Sequence, residues 1–161
     1  MDLIVYTKRL ILRVENADKA EAILDFYRHN SALFDNFEPT RPHNFYTEAY
    51  HRAVTNAEYN NTIAGNFLRY YVYTKDNPDK IIGSVNFSNI TYGPFMKATL
   101  GYKLDIDYHH RGYATEAVAH CLDIMFQQYG MQRIEAKVVP HNQPSIDLLT
   151  RLHFRYEGIE Y

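Results

Sequence analysis

A mixed α/β fold, one sheet with helices on both faces, follows from three observations. Short stretches of apolar–polar alternation recur along the chain, and longer stretches carry apolar residues at helical spacing. The two kinds succeed one another in the order β-α-α-β-β-β-α-β-α-β, which packs helices against both sides of a sheet. The 161 residues suit a single domain, residues 1–161, with a full core. No repeat, low-complexity segment or linker interrupts them.

Leu10, Leu12 and Val14 alternate with Ile11 and Arg13 in the first strand. Asn16 has N-cap chemistry, and Ala20, Ile23, Leu24 and Tyr27 then recur at helical spacing. Asn30 to Asn44, with Pro39 and Pro42, reads as a loop. A second helix covers Thr47 to about Asn60, with Ala49, Tyr50, Ala53, Val54 and Ala57 on its apolar face. Phe67 to Tyr73 alternates as a strand, and Asp76-Asn77-Pro78-Asp79 has the chemistry of a turn. Lys80–Asn89 therefore returns antiparallel as a hairpin.

A turn at Tyr92-Gly93-Pro94 leads to a strand over Ala98–Leu104. The next helix runs from about Tyr113 to Gln128, closed by Gly130 in the left-handed region. Arg133–Val139 alternates with Ile134, Ala136 and Val138 inward. Pro140-His141-Asn142-Gln143-Pro144 starts a last helix that ends near Leu152, and Phe154–Tyr161 is extended.

Composition narrows the function. Seventeen basic and nineteen acidic residues give a net charge of −2, so bulk electrostatics favours neither nucleic acid nor an anionic membrane. Apolar residues at 46% and charged residues at 22% are ordinary for a soluble domain. No run approaches the roughly twenty apolar residues that span a bilayer. The start, Met1-Asp2-Leu3-Ile4-Val5-Tyr6, lacks a basic segment followed by a long apolar one. Cys121 stands alone on an apolar helical stripe, as a buried structural thiol in a reducing compartment would. The expected location is cytoplasmic. Fifteen Tyr without Trp supply apolar area with polar tips, mostly for core and strands, some for a cleft.

The most informative stretch is Leu104 to Ala117. It reads as a strand end, a short loop centred on Gly112, and the first turn of a helix. First-turn N–H groups lack intrahelical partners, and the helix dipole adds partial positive charge. Such a terminus binds phosphate oxygens. Gly112 permits close backbone approach and Ala114 leaves it unobstructed. Many ordinary turns contain one Gly, so the loop alone is a candidate pyrophosphate cradle and no more.

The run Tyr108-His109-His110-Arg111-Gly112-Tyr113-Ala114 resembles the acetyl-CoA loop of the GCN5-related N-acetyltransferases (GNAT), Gln/Arg-x-x-Gly-x-Gly/Ala. Thr7-Lys8-Arg9-Leu10-Ile11-Leu12-Arg13 is similar to the Thr-x-Arg-Leu-x-Leu-Arg opening of the RimJ/RimL-like branch, which acetylates ribosomal-protein N-termini on alanine or serine. Ile82-Gly83 falls in the expected hairpin strand. Asn142 to Phe154 resembles that branch's Asn-x-x-Ser-x-x-x-Leu-x-x-x-Gly-Phe signature. Three motifs in the right order cover most of the chain.

The resemblance implies the GNAT fold, with a mixed and mostly antiparallel sheet, and acetyl transfer from acetyl-CoA to a primary amine. The amides of Arg111, Gly112, Tyr113, Ala114 and Thr115 would hold the pyrophosphate. Arg111 adds charge toward a phosphate or is a solvated loop residue. Tyr102–Leu104 would splay from Ile134–Val139 so that the pantetheine arm pairs with it like an added strand. An N–H near Leu104 could stabilise the oxyanion. Asn142 is an N-cap and, by resemblance, a pantetheine ligand. Ser145 is either a first-turn hydroxyl or the acid that stabilises the departing thiolate. Other branches use a Tyr four positions later, where this chain has Leu149.

Three departures stand out. His109 occupies the usual Gln/Arg position. His153 stands where Gly closes the last helix, and His tolerates φ > 0 better than most residues. The chain stops at Tyr161, where the resemblance leads one to expect a further strand and a half. A seventh strand would lie between Ile134–Val139 and Phe154–Tyr161, so the expectation is a shortened chain or a second copy, a homodimer, filling the gap.

No general base is named. Thr99 occupies the position where many relatives carry Glu, and Glu38 is a cleft carboxylate or a surface loop residue. His29, His51 and His120 read as helix-surface positions, His109 and His110 as loop residues, and His141 flanks a cap, so none is assigned to a metal. A free α-amine, with a pKa of roughly 7.7–8.0, needs less help than lysine near roughly 10.4, which favours a protein N-terminus as acceptor. The alternatives are a small amine (polyamine, amino acid or antibiotic) and a non-catalytic acyl-CoA-binding protein.

Overall fold

A computed structural model describes residues 2–161; Met1, the first residue of the opening stretch, lies outside them. Among the described residues, six strands form one sheet in chain order: β1 (Ile4–Tyr6), β2 (Leu10–Arg13), β3 (Leu68–Thr74), β4 (Gly83–Thr91), β5 (Lys97–Leu104) and β6 (Arg133–Ala136). Every neighbouring pair is antiparallel except β5 and β6, which run parallel. A parallel pair needs a crossover, and α4 (Tyr113–Gln127) supplies it. The remaining helices are α1 (Ala20–His29), the single turn α2 (Ser31–Phe34), α3 (Glu48–Ala64) and α5 (Gln143–Arg151).

Alternation along β2 divides the core. Leu10 and Leu12 face a cluster with α4 and α5, reached through Val118, Cys121, Met125, Leu148 and Leu149. Ile11, between them, joins Ile23, Phe26 and Tyr27 of α1 on the other face. Helices therefore cover both faces, as the element order requires. Phe87, Tyr70 and Tyr73 are among the largest fully buried side chains, each contributing about 1.5–3 kcal/mol of apolar burial. Burial of tyrosine needs a partner for its hydroxyl. Tyr70 donates to the Asp2 carbonyl at 2.7 Å and Tyr73 to Glu15 Oε1 at 2.8 Å.

Local signals hold at several ends. Asn16 accepts from the Asp18 N–H, capping a 3-10 turn (Ala17–Lys19) that runs into α1. Thr47 caps α3 and Asn142 caps α5. Gly130 and His153 both adopt the left-handed region, at φ 69° and 67°. Cys121 is fully buried, and burial pushes its thiol far above the ordinary range.

Four expectations are corrected. β1 was not expected; its three residues, with Ile4 and Tyr6 exposed at the sheet edge, are too few to show a period. β6 ends at Ala136 instead of Val139. Phe154–Tyr161 forms no strand, because no ladder reaches it; side chains hold it through Arg133–Glu157 and Lys137–Glu160 at 2.5 and 3.0 Å. On α3 the expected apolar face is exposed at Ala49, Ala53 and Ala57, and His51, Thr55 and Thr62 are buried instead. Alanine tolerates water at little cost, whereas the Thr62 hydroxyl is satisfied by the Glu58 carbonyl at 2.9 Å and His51 packs against the rings of Tyr27 and Phe45.

Candidate active site

The loop between β5 and α4 has the geometry that phosphate binding needs. Gly112 is the N-cap of α4 at φ 79°, a conformation that costs any residue with a Cβ. No side chain caps the helix. Among the described residues, the N–H groups of Arg111, Gly112, Tyr113, Ala114 and Thr115 have no hydrogen-bond partner. The first satisfied amide is that of Glu116, which donates to the Gly112 carbonyl at 3.0 Å. Five adjacent donors at the positive end of a 15-residue helix form a ready anion cradle.

Arg9 holds this loop from behind. Its Nη1 donates to the Arg111 carbonyl at 2.8 Å and its Nε to Glu116 Oε1 at 2.7 Å. The guanidinium also lies 4.4 Å from the centre of the Tyr113 ring. Glu116 Oε2 accepts from the Arg9 N–H at 2.9 Å and from the Thr7 hydroxyl at 2.5 Å. Partial burial alone would raise the Glu116 carboxyl, but the Thr7 and Arg9 donors hold it below the usual range. Thr7 and Arg9, met in the sequence only as parts of a motif, thus have a structural task. Nothing in the sequence signalled Glu116, because its partners lie more than a hundred residues away.

The β5–β6 ladder pairs Lys97 with Arg133 through Leu100 with Ala136 and then stops. Ile134 to Ala136, expected to lie apart from β5, are therefore paired with it, and beyond Ala136 no bridge joins residues 137–139 to Tyr102–Leu104, which leaves a splay there. The Asp105 N–H donates to the Ile82 carbonyl at 2.7 Å. Antiparallel alternation therefore turns the backbone groups of Leu104 and Tyr102 away from β4 and into the splay. The Leu104 carbonyl there meets His109 Nε2 at 3.0 Å. His109, in place of the usual Gln or Arg, ties the loop to the strand end.

Ser145 sits in the first turn of α5 with its N–H donating to Asn142 Oδ1 at 3.3 Å. Its hydroxyl is in a short hydrogen bond with that of Tyr102, which also donates to the Ser145 carbonyl at 3.3 Å. Burial raises the Tyr102 phenol, against the pull of Ser145 and Arg151, so it stays protonated. The Tyr102 hydroxyl was not anticipated from sequence. Strand alternation assigned a face but no partner 43 residues away.

Glu38 is half-buried, with Oε2 at 2.5 Å from Arg41 and Oε1 at 2.7 Å from Lys103. Both oxygens are engaged. His29 is exposed as expected and His120 half-buried. His51 is not a surface residue: it is 3% exposed, on the buried face of α3. Donor atoms of His29, Asp105 and Asp107 lie within 4.8 Å of one another. Asp105 accepts from Asn30 Nδ2 at 3.2 Å, which ties the C-cap of α1 to the turn after β5, and from the Asp107 N–H at 2.8 Å within that turn. Among the described residues, no helix is long and apolar enough to cross a membrane.

With this geometry in place, the comparisons with known proteins are specific. The family profile described as acetyltransferase (GNAT) domain matches residues 9–155. The [ribosomal protein uS5]-alanine N-acetyltransferase of Escherichia coli is 30% identical over 152 residues, covering 94% of this chain and 78% of that protein. The crystal structure of a ribosomal-protein-S5-alanine acetyltransferase from Vibrio fischeri superposes with a TM-score of 0.91 at 29% identity, over 98% of this chain and 85% of that one. Mycobacterium smegmatis RimJ, solved in complex with CoA-disulfide, shares the fold at a TM-score of 0.89 and 24% identity, over 98% and 77% of the two chains. The chain belongs to the GNAT acetyltransferase family and is an N-acetyltransferase.

Proposed function

We propose that this enzyme transfers the acetyl group of acetyl-CoA to the N-terminal α-amine of a protein, of the ribosomal-protein kind its relatives are named for. The observation that carries the reading is the row of five unpartnered amides from Arg111 to Thr115 beside an open splay between β5 and β6. First-turn donors without intrahelical partners are met by water or by the oxygens of a ligand, and five of them side by side at a helix N-terminus fit a diphosphate. Arg111 adds charge at its rim.

Acetyl-CoA supplies an acyl carbon activated as a thioester. The chain's residues do the rest. The edge of β5 at Tyr102 and Leu104 offers backbone donors and acceptors to the pantetheine amides. Asn142 holds the first turn of α5 and orients Ser145. The Leu104 N–H faces the place where negative charge grows on the carbonyl oxygen. Ser145, backed by the protonated Tyr102 hydroxyl, is the acid that delivers a proton to the leaving sulfur. A neutral α-amine, with its pKa of roughly 7.7–8.0, needs no strong base for attack near neutral pH.

Thiol release is measured with acetyl-CoA and a panel of N-terminal peptides, polyamines and free amino acids. Peptides beginning with Ala or Ser are expected to be turned over, with mass added at the α-amine. Turnover confined to free amines would overturn the protein-N-terminus reading.

A further inference from the structure

A cavity of about 190 Å³ lies between α1, α3, β3 and β5. Its lining includes Tyr27, Arg41, His51, Glu58, Arg69 and Lys103. At roughly 30 Å³ per water it holds about six waters, enough for one polar side chain or a small acid. Lys103 lies on β5 between Tyr102 and Leu104, the two residues whose backbone faces the splay, so the cavity adjoins the reaction strand on its opposite face.

We propose that this cavity anchors a carboxylate carried by the acceptor, beside an N–H or O–H group that donates to His51. The inference rests on the acetyl-transfer reading above and adds a selectivity to it. Three cations, Arg41, Arg69 and Lys103, face two half-buried carboxylates, Glu38 and Glu58, which leaves one positive charge uncompensated. Asp35, 3.8 Å from Arg41 Nε, is more than half exposed and water screens it. Burial lifts the Glu58 carboxyl above its usual range, against the pull of Arg69 and Lys103, which weakens it as a counter-charge.

The ion pairs leave one donor unused. Arg41 Nη2 sits 2.5 Å from Glu38 and Arg69 Nε 2.9 Å from Glu58, so both nitrogens are committed to their carboxylates. Arg41 Nε, in contrast, is buried without a hydrogen-bond acceptor. A buried guanidinium donor in that position is costly and marks a place where a further acceptor is stabilised.

His51 supplies the second, independent sign. It is 3% exposed, stacked on Tyr27 at 5.2 Å, and its Nε2 has no hydrogen-bond partner. Burial lowers its pKa, helped by Arg41 and Arg69 and opposed by a hydrogen bond to the Phe45 carbonyl. That bond occupies the other ring nitrogen, so neutral His51 presents a bare lone pair at Nε2. A lone pair next to cationic donors complements an acidic group flanked by a donor. An acidic side chain of a peptide and the α-carboxylate of a free amino acid both offer it.

Paired acceptors separate the sources. Ala-Glu and Ala-Gln N-terminal peptides form one pair; free glutamate and its fully amidated analogue form the other. The acidic member of at least one pair is expected to show kcat/KM higher by about tenfold or more. In Lys103→Met that ratio should fall toward one, with acetyl-CoA still bound in calorimetry. As a measurement independent of catalysis, N-acetylglutamate is titrated into the wild-type protein and the His51 ring resonances are followed by NMR. A ring shift with no turnover of any amine sinks the acetyl-transfer reading and keeps the pocket. Turnover with equal ratios in both pairs and no ring shift sinks the pocket and keeps the reading.

Discussion

The hydroxyls of Tyr102 on β5 and Ser145 on α5 share a short hydrogen bond across the mouth of the splay. In the reaction proposed above, a phenol that burial keeps protonated, set against a serine hydroxyl, would make a two-step path for a proton toward the departing sulfur. Ser145→Ala is expected to lower kcat by about 10²-fold or more, with the acetyl-CoA dissociation constant little changed. Tyr102→Phe should show a smaller loss, because Ser145 remains. Single-turnover rates beside calorimetric affinities check both, and full turnover in Ser145→Ala removes Ser145 from the mechanism.

Gly112→Ala tests the cradle. A Cβ there meets Arg9 Nη2 at 3.3 Å, and the backbone stays at φ 79°. The left-handed conformation costs a non-glycine residue about 1–2 kcal/mol. The melting temperature is expected to drop by about 2–4 °C for each kcal/mol, and acetyl-CoA binding to weaken as the loop relaxes. Unchanged affinity in calorimetry would mean that the diphosphate lies elsewhere.

Glu116 carries a pH signature. Its folded pKa lies below the ordinary value near 4.5, so its latch stabilises the fold above that pH. The contribution is lost as pH falls through the depressed folded value, where the native state must take up a proton. Glu116→Gln should therefore flatten the acid limb of the stability curve below about pH 4.5. Arg9→Ala should cost about 1 kcal/mol, discounted because Arg9 is 39% exposed. Urea titrations between pH 3 and 7 read both.

His153→Gly is expected to stabilise the protein. His153 sits at φ 67°, and glycine removes the left-handed strain while adding unfolded-state entropy. The difference leaves a gain of about 0.5–1 kcal/mol, visible as a rise in melting temperature. A lower melting temperature would show that the His153 side chain is itself held by the fold.

What could be read along the chain was local chemistry. Asn16, Thr47 and Asn142 cap helices because a short polar side chain reaches an amide two or three residues on. Gly112 and the bare first turn of α4, the cradle proposed for the diphosphate, arise from geometry that spans a few residues. Leu10, Ile11 and Leu12 assign the two faces of the sheet by a period of two. The face of α3 was misread because exposed alanines keep helical spacing as faithfully as core residues do.

Tertiary packing decided the rest. Arg9 and Glu116 meet across 107 positions, Tyr102 and Ser145 across 43, and His51 is buried only because Tyr27 and Phe45 arrive from elsewhere. No local propensity encodes such meetings. They exist when strand register and helix packing bring distant side chains within hydrogen-bond reach, and in this protein those meetings hold the loop, orient the serine and shape the charged cavity.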